Sequence, residues 1–260
     1  MSVWYDVHGE GPAVALVHAG ITDSRMWEPQ LRSFPDSHTV VRLDLPGFGR
    51  SPIETNPVSY RESIGEALDA TGVARAAVVG SSLGGRAALE FALDSPERVS
   101  ALVLVGAAID DHDWSDAMEA FDAEEEAALE RGDLEGAAIV NVDFWVAGTG
   151  RSLDEIDPDV RELVAEMQRH AFELSKGHDD LRAARLEPPA SQRLGDIAVP
   201  TVVVTGDEDV EDIRVIGDRL AREIPDAERA HIAGAAHLPN LERPEEFDRI
   251  VLGFLGRHGV

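Results

Sequence analysis

Short apolar runs alternate along this chain with stretches whose apolar residues recur at helical spacing. That alternation is the signature of βαβ units around a mostly parallel sheet. Seven runs read as strands, at residues 3–8, 13–18, 40–43, 76–80, 101–105, 200–205 and 230–232. The run Thr201-Val202-Val203-Val204-Thr205 is β-branched throughout, as a strand buried on both faces requires. Gly9-Glu10-Gly11-Pro12 reads as a hairpin turn joining the first two strands. Ser59 with Glu62 three residues on forms a capping box for a helix reaching about residue 70. Another helix is predicted over residues 84–94, and Phe247, Ile250, Val251 and Phe254 recur at i, i+3, i+4 and i+7 as a C-terminal helix packed on the sheet.

Residues 108–193 break the rhythm. They hold no clear strand, two long helical patterns near 116–131 and 158–175, and an apolar face made by Trp114, Phe121, Phe144, Trp145, Met167 and Phe172. The expected architecture is therefore α/β: a mostly parallel, doubly wound sheet built from residues 1–107 and 194–260, carrying an inserted helical cap, or lid, over residues 108–193.

The pentapeptide Gly80-Ser81-Ser82-Leu83-Gly84 falls at the junction of the fourth strand and the helix after it. A turn that sharp forces its central serine into a strained backbone conformation and leaves the hydroxyl clear at the carboxyl end of the sheet. A serine hydroxyl is a weak nucleophile at neutral pH. It needs a base in hydrogen-bond reach, and the base needs an acid to fix its tautomer and stabilise the imidazolium. On a doubly wound sheet such groups come from loops at the carboxyl ends of strands. Gly206-Asp207-Glu208-Asp209 follows the sixth strand, and Ala233-Gly234-Ala235-Ala236-His237 follows the seventh. Spacing from Gly206 favours Asp209 as the acid, with Asp212 next. His18, in the turn after the second strand, reads as a loop support rather than a base.

Composition narrows the picture. The net charge of −27 excludes nucleic acid and anionic membranes as partners, since both are bound by clustered Lys and Arg. Lys176 is the only lysine among 23 basic residues. A high-GC genome and adaptation to high salt both produce such a balance. Between Asp110 and Asp180 stand 22 acidic residues against five bases, a local balance of −17. With no cysteine there is neither a disulfide framework nor a thiolate site. The start of the chain lacks a signal-peptide pattern and no run of ~18 apolar residues occurs, so a cytoplasmic protein is expected. His112, His170 and His178 lie among carboxylates, but their spacing matches no compact metal motif; solvated histidines and no bound metal or cofactor are expected.

Five ordered motifs resemble the α/β-hydrolase fold superfamily, in the group containing small esterases, enol-lactonases, carbon–carbon bond hydrolases and cofactor-free haloperoxidases. They are His18-Ala19-Gly20 with Trp27 nine residues after His18, Asp44-Leu45-Pro46-Gly47-Phe48-Gly49-Arg50-Ser51, the serine turn, Gly206-x-x-Asp209, and Gly234-x-x-His237 leading to Glu242-x-Pro244-Glu245. The resemblance runs nearly end to end. It implies Ser82 as nucleophile, His237 as general base and Asp209 as orienting acid, with an oxyanion held by the backbone N–H of Leu83 and by Gly20 or Ile21, each donor worth on the order of 10²–10³ in rate. Ala19 and Ala236 depart from the glycines often found at their positions. The expected activity is hydrolysis of an ester, lactone or related small acyl substrate; carbon–carbon hydrolysis or peracid formation with the same triad, and a non-catalytic binder on this scaffold, are the alternatives. Ile21, Trp27, Trp114, Trp145 and Leu238 are candidate pocket residues, and the expected state is a monomer or homodimer.

Overall fold

Each of the seven predicted apolar runs is a strand in the computed structural model, which describes residues 3–178 and 180–260. They are β1 (Tyr5–His8), β2 (Ala13–Val17), β3 (Thr39–Leu43), β4 (Ala76–Ser81), β5 (Val99–Val105), β6 (Thr201–Gly206) and β7 (Glu228–Ile232). One sheet joins them in the order β1-β3-β2-β4-β5-β6-β7, antiparallel between β1 and β3 and parallel elsewhere. Every residue of β4 and β6 is buried. Such strands must be covered on both faces, and helices do this. α1 (Tyr60–Ala70), α2 (Leu83–Asp94), α6 (Glu211–Glu223) and α8 (Pro244–Arg257) pack on the sheet or on one another. The Ser59 hydroxyl caps α1 by accepting from the Glu62 N–H, and α8 buries Phe247, Val251, Phe254 and Leu255.

The order of strands corrects one expectation. β1 and β2 are not a hairpin, because β3 lies between them. Gly9 and Gly11 both have positive φ, but they serve a close crossing rather than a two-residue turn. A Cβ on Gly9 would lie 2.4 Å from the His38 carbonyl oxygen, and one on Gly11 the same distance from that of Ser37. The glycines let this loop run against the segment that leads into β3.

Between β5 and β6 the described residues form helices and loops and no strand: α3 (Asp116–Glu130), α4 (Leu134–Asn141), a π-helical turn (Val142–Ala147) and α5 (Pro158–Ser175). Sequence periodicity predicts α3 and α5 but misses α4 and the π turn. Phe121, Trp145 and Met167 are buried inside this insertion's apolar face, while its acidic side chains, apart from the buried Asp110 and half-buried Glu125, mostly face solvent. Specific ties seat it on the sheet side. The Asp212 carboxylate of α6 accepts from the Ser115 N–H and hydroxyl at 3.1 and 2.7 Å and bonds His112 at 2.9 Å. His170 of α5 bonds the Gly49 carbonyl at 2.9 Å, and Arg25 reaches Glu166 at 2.6 Å.

With carboxylates crowded on an exposed face, self-repulsion should be strongest at low ionic strength and screened within a Debye length of ~10 Å at 0.1 M salt. Added salt is expected to raise the thermal midpoint and to slow amide exchange in α3 and α5 more than in β4 and β5. Hydrogen exchange followed by mass spectrometry at low and high salt checks this; equal protection of helices and sheet at both would make the insertion a rigid second layer.

Candidate active site

The turn from β4 into α2 is dictated by what its glycines must avoid. A Cβ on Gly80 would sit 2.3 Å from the Gly84 carbonyl oxygen, and one on Gly84 would sit 2.4 Å from that of His18. Helix and strands approach too closely there for any side chain. Ser82, at the apex, takes φ 51° and ψ −112°, a conformation that costs a non-glycine residue on the order of 1–3 kcal/mol. Its backbone is fixed from both sides: its N–H donates to the Val105 carbonyl at 2.9 Å, and its own carbonyl accepts from Arg86 at 2.9 Å and from Ala108 at 3.3 Å.

The end of β5 links this turn to the other predicted residues. Gly106 follows Val105 with φ +48°, and a Cβ on it would lie 3.2 Å from His237 Nδ1 and 3.3 Å from Asp209 Oδ2. One glycine thus separates the strand end bonded to Ser82 from the His237–Asp209 pair. His237 Nδ1 lies 3.1 Å from each carboxylate oxygen of Asp209, and both side chains are buried. An ionised carboxylate only accepts, so Nδ1–H donates and Nε2 is left as the acceptor nitrogen. Asp209 Oδ1 also accepts from the Val210 N–H at 2.8 Å, which fixes the carboxylate in its loop. The rival Asp212 points to His112 and Ser115 instead. Burial pushes its carboxyl up, but the Ser115 and His112 hydrogen bonds outweigh this and hold it below its ordinary range.

Gly20 lies against the turn as well: a Cβ there would touch the Leu83 side chain at 3.4 Å. The loop carrying Gly20 and Ile21 is held by His18, whose Nδ1 donates to the Ala19 carbonyl and whose Nε2 accepts from the Leu45 N–H, both at 2.8 Å. Burial holds this imidazole below its ordinary value of 6.5, against the pull of the Asp44 carboxylate. It is a neutral strut. Neither Ala19 nor Ala236 has positive φ, so the missing glycines carry no backbone cost.

The candidate pocket residues divide. Trp145 packs on His237, with ring centroids 4.5 Å apart at 35°, and joins Phe121 and Phe144 in an aromatic cluster. Ile21 is buried beside Gly20 in the loop next to Leu83. Trp114 stands edge-on to His112 at the seam between the insertion and α6. Trp27 has no exposed surface and packs on Phe247 of α8, and Leu238 is fully buried at the start of the short helix α7 (Pro239–Glu242). His112 is not a solvated histidine, since Asp212 holds it. Among the described residues no cluster of three potential metal ligands occurs. A cavity of about 430 Å³ beside Asp44, Arg25, Arg42 and Arg50 is walled by guanidiniums already paired with Asp23, Asp6, Glu28 and Asp44. Among the described residues that line it, each guanidinium is already paired with a carboxylate.

The alpha/beta hydrolase fold family matches residues 12–244, and the chain belongs to it. A protein provisionally named carbamate hydrolase RutD, from Azorhizobium caulinodans, is 29% identical over 98% of this chain and 95% of its own length. The pimeloyl-[acyl-carrier protein] methyl ester esterase of Nitrosospira multiformis is 28% identical over 98% of both chains. Among solved structures, Est816, described as an N-acyl homoserine lactone degrading enzyme, is 27% identical with a TM-score of 0.75, covering 97% of this chain and 96% of its own. These relatives are hydrolases and support a hydrolase on this fold. No helix among the described residues is long and apolar enough to cross a membrane.

His18 gives this region a signed pH dependence. With its folded value depressed below 6.5, its contribution to stability is complete above pH 6.5 and is lost as pH falls through the folded value, by up to about 1.4 kcal/mol per pH unit. Urea unfolding of wild type and His18→Gln at pH 7.5 and 5.5 tests this. The variant is expected to be less stable at both, with a smaller difference between them; an unchanged difference means that folding leaves the proton affinity of His18 as it is in the unfolded chain.

Proposed function

We propose that this chain is a serine hydrolase, carboxylesterase-like, that cleaves an ester, lactone or related small acyl substrate through Ser82, His237 and Asp209. The observation that carries the reading is the buried His237–Asp209 contact at 3.1 Å, one residue away from the strand end to which the strained Ser82 is bonded. In this reading His237 Nε2 takes the Ser82 proton as Oγ attacks the substrate carbonyl carbon. Asp209 holds the Nδ1–H tautomer and stabilises the imidazolium. The oxyanion forms at the N-terminus of α2, where the Leu83 N–H and the helix dipole favour negative charge, with Gly20 or Ile21 as second donor. The imidazolium protonates the leaving group, and the acyl-enzyme is hydrolysed by a water activated in the same way.

The same relay can serve a carbon–carbon bond or a peroxide nucleophile, and the substrate side is set by the helical insertion acting as a lid. Relatives assigned to esters and lactones favour acyl chemistry for this chain. We infer a small-molecule substrate and no resident cofactor.

Ser82→Ala should lower turnover of short p-nitrophenyl esters by on the order of 10⁴-fold or more, with the far-UV spectrum and thermal midpoint near wild type. A fluorophosphonate probe should label Ser82 in wild type and nothing in the variant. Ser82→Gly should also abolish turnover while stabilising the fold by about 1 kcal/mol, since glycine takes this φ without strain. Retained turnover in Ser82→Ala, or labelling elsewhere, would overturn the assignment. Activity should also fall on acidification, since a general base cannot accept the Ser82 proton once it carries one of its own; a flat profile from acid to neutral pH points to another mechanism.

A further inference from the structure

The π turn at Val142–Ala147 does more than end α4. A π turn misdirects carbonyls from the helical ladder, which is why such turns gather at functional sites. Here the Trp145 carbonyl accepts from the His237 N–H at 3.2 Å, while the Trp145 indole lies over the His237 ring. One residue therefore holds both the backbone and the imidazole of His237.

The following residues grip the same loops. Thr149 N–H donates to the carbonyl of Glu208, the residue before Asp209, at 2.9 Å. Gly148, φ +71°, passes so close that a Cβ would lie 2.1 Å from that carbonyl oxygen and 2.9 Å from Ala236 Cβ. Arg151 then ties the turn to the His237 loop. Its guanidinium donates to the carbonyls of Val146 and Ala147 at 2.7 and 3.0 Å, to that of Gly234 at 3.1 Å, and to Glu242 at 2.6 Å. The other oxygen of Glu242 accepts from the Ala236 N–H, next to His237, at 2.8 Å. Both side chains are largely buried, at 14% and 4% exposure, so the pair is a directional tie rather than a screened surface contact.

We propose that Trp145 is a positioning residue for His237, and that the Arg151–Glu242 pair latches it there, so that seating of the helical insertion sets the geometry of the base. The inference rests on the reading of His237 as base. The charged groups around the imidazole are Asp209 at Nδ1 and the Arg151–Glu242 pair behind Ala236. The indole is the apolar plate that completes its surroundings, and an aromatic face favours an adjacent cation.

The test uses the full-length chain and a short p-nitrophenyl ester. Trp145→Leu, which keeps bulk without the ring, is expected to lower kcat about tenfold or more with KM changed less than threefold. It should also move the acid limb of the kcat profile to lower pH, because the imidazolium loses its aromatic neighbour. Trp145→Phe should restore most of kcat and the position of the limb. Glu242→Gln, which keeps an acceptor for Ala236 but drops the charge facing Arg151, should lower kcat by a smaller factor in the same direction. The rate of fluorophosphonate labelling of Ser82 should follow kcat across these variants. Wild-type kcat and an unmoved limb in Trp145→Leu overturn the proposal, as does a loss of kcat that merely tracks the folded fraction while the limb stays in place. Failure of the underlying triad reads differently, as turnover surviving Ser82→Ala.

Discussion

The close approach of α2 to the ends of β2 and β5 is the constraint on which the site depends. Gly80 and Gly84 leave no space for a Cβ, so the helix starts against the strand ends and Ser82 must absorb the change of direction. The strain at Ser82 is affordable because the sheet over-determines it. Val105, Arg86 and Ala108 hold its backbone groups, and β4 is buried along its whole length. A looser helix start would let Ser82 relax into an ordinary backbone conformation.

The same sheet end solves a second problem, that of holding polar groups without water. His18 is spent on two backbone groups and kept neutral by burial. The Asp44 carboxylate receives the N–H groups of Ser24 and Arg50, and Gly49 presses against it so closely that a Cβ would lie 2.4 Å away. Neither group is free to act on a substrate, yet both shape the loops that approach Ser82. This is why a histidine in the motif region need not be the base: its two nitrogens are already committed, whereas His237 commits one to Asp209.

Much of this was legible in the sequence because strands and helices announce themselves by local periodicity. All seven strands and the helices α1, α2, α3, α5 and α8 lie where apolar spacing puts them. What local pattern could not carry was spatial order. The glycines at positions 9 and 11 look like a hairpin turn until β3 is seen to insert between β1 and β2. The π turn has no sequence period of its own, so the helical patterns near 116–131 and 158–175 do not extend to it. Asp209 and Asp212 stand three residues apart; only the fold sends one toward His237 and the other toward His112 and Ser115. Arg151 and Glu242 gave no joint signal, being 91 residues apart.

The helical insertion brings two opposing demands together. Its exposed face crowds carboxylates whose repulsion favours separation, while its inner edge is bound to the loops carrying His237 and Asp209 through Trp145, Thr149 and Arg151. Repulsion among solvent-facing charges is spread out and screened by salt. The inner ties are few, buried and directional, and burial of Glu242 raises its proton affinity although Arg151 and the Ala236 N–H oppose this. Glu242 therefore favours protonation more in the fold than in the unfolded chain. A diffuse, salt-screened repulsion on the outer face and a few buried, directional ties on the inner edge therefore act on one segment from opposite sides.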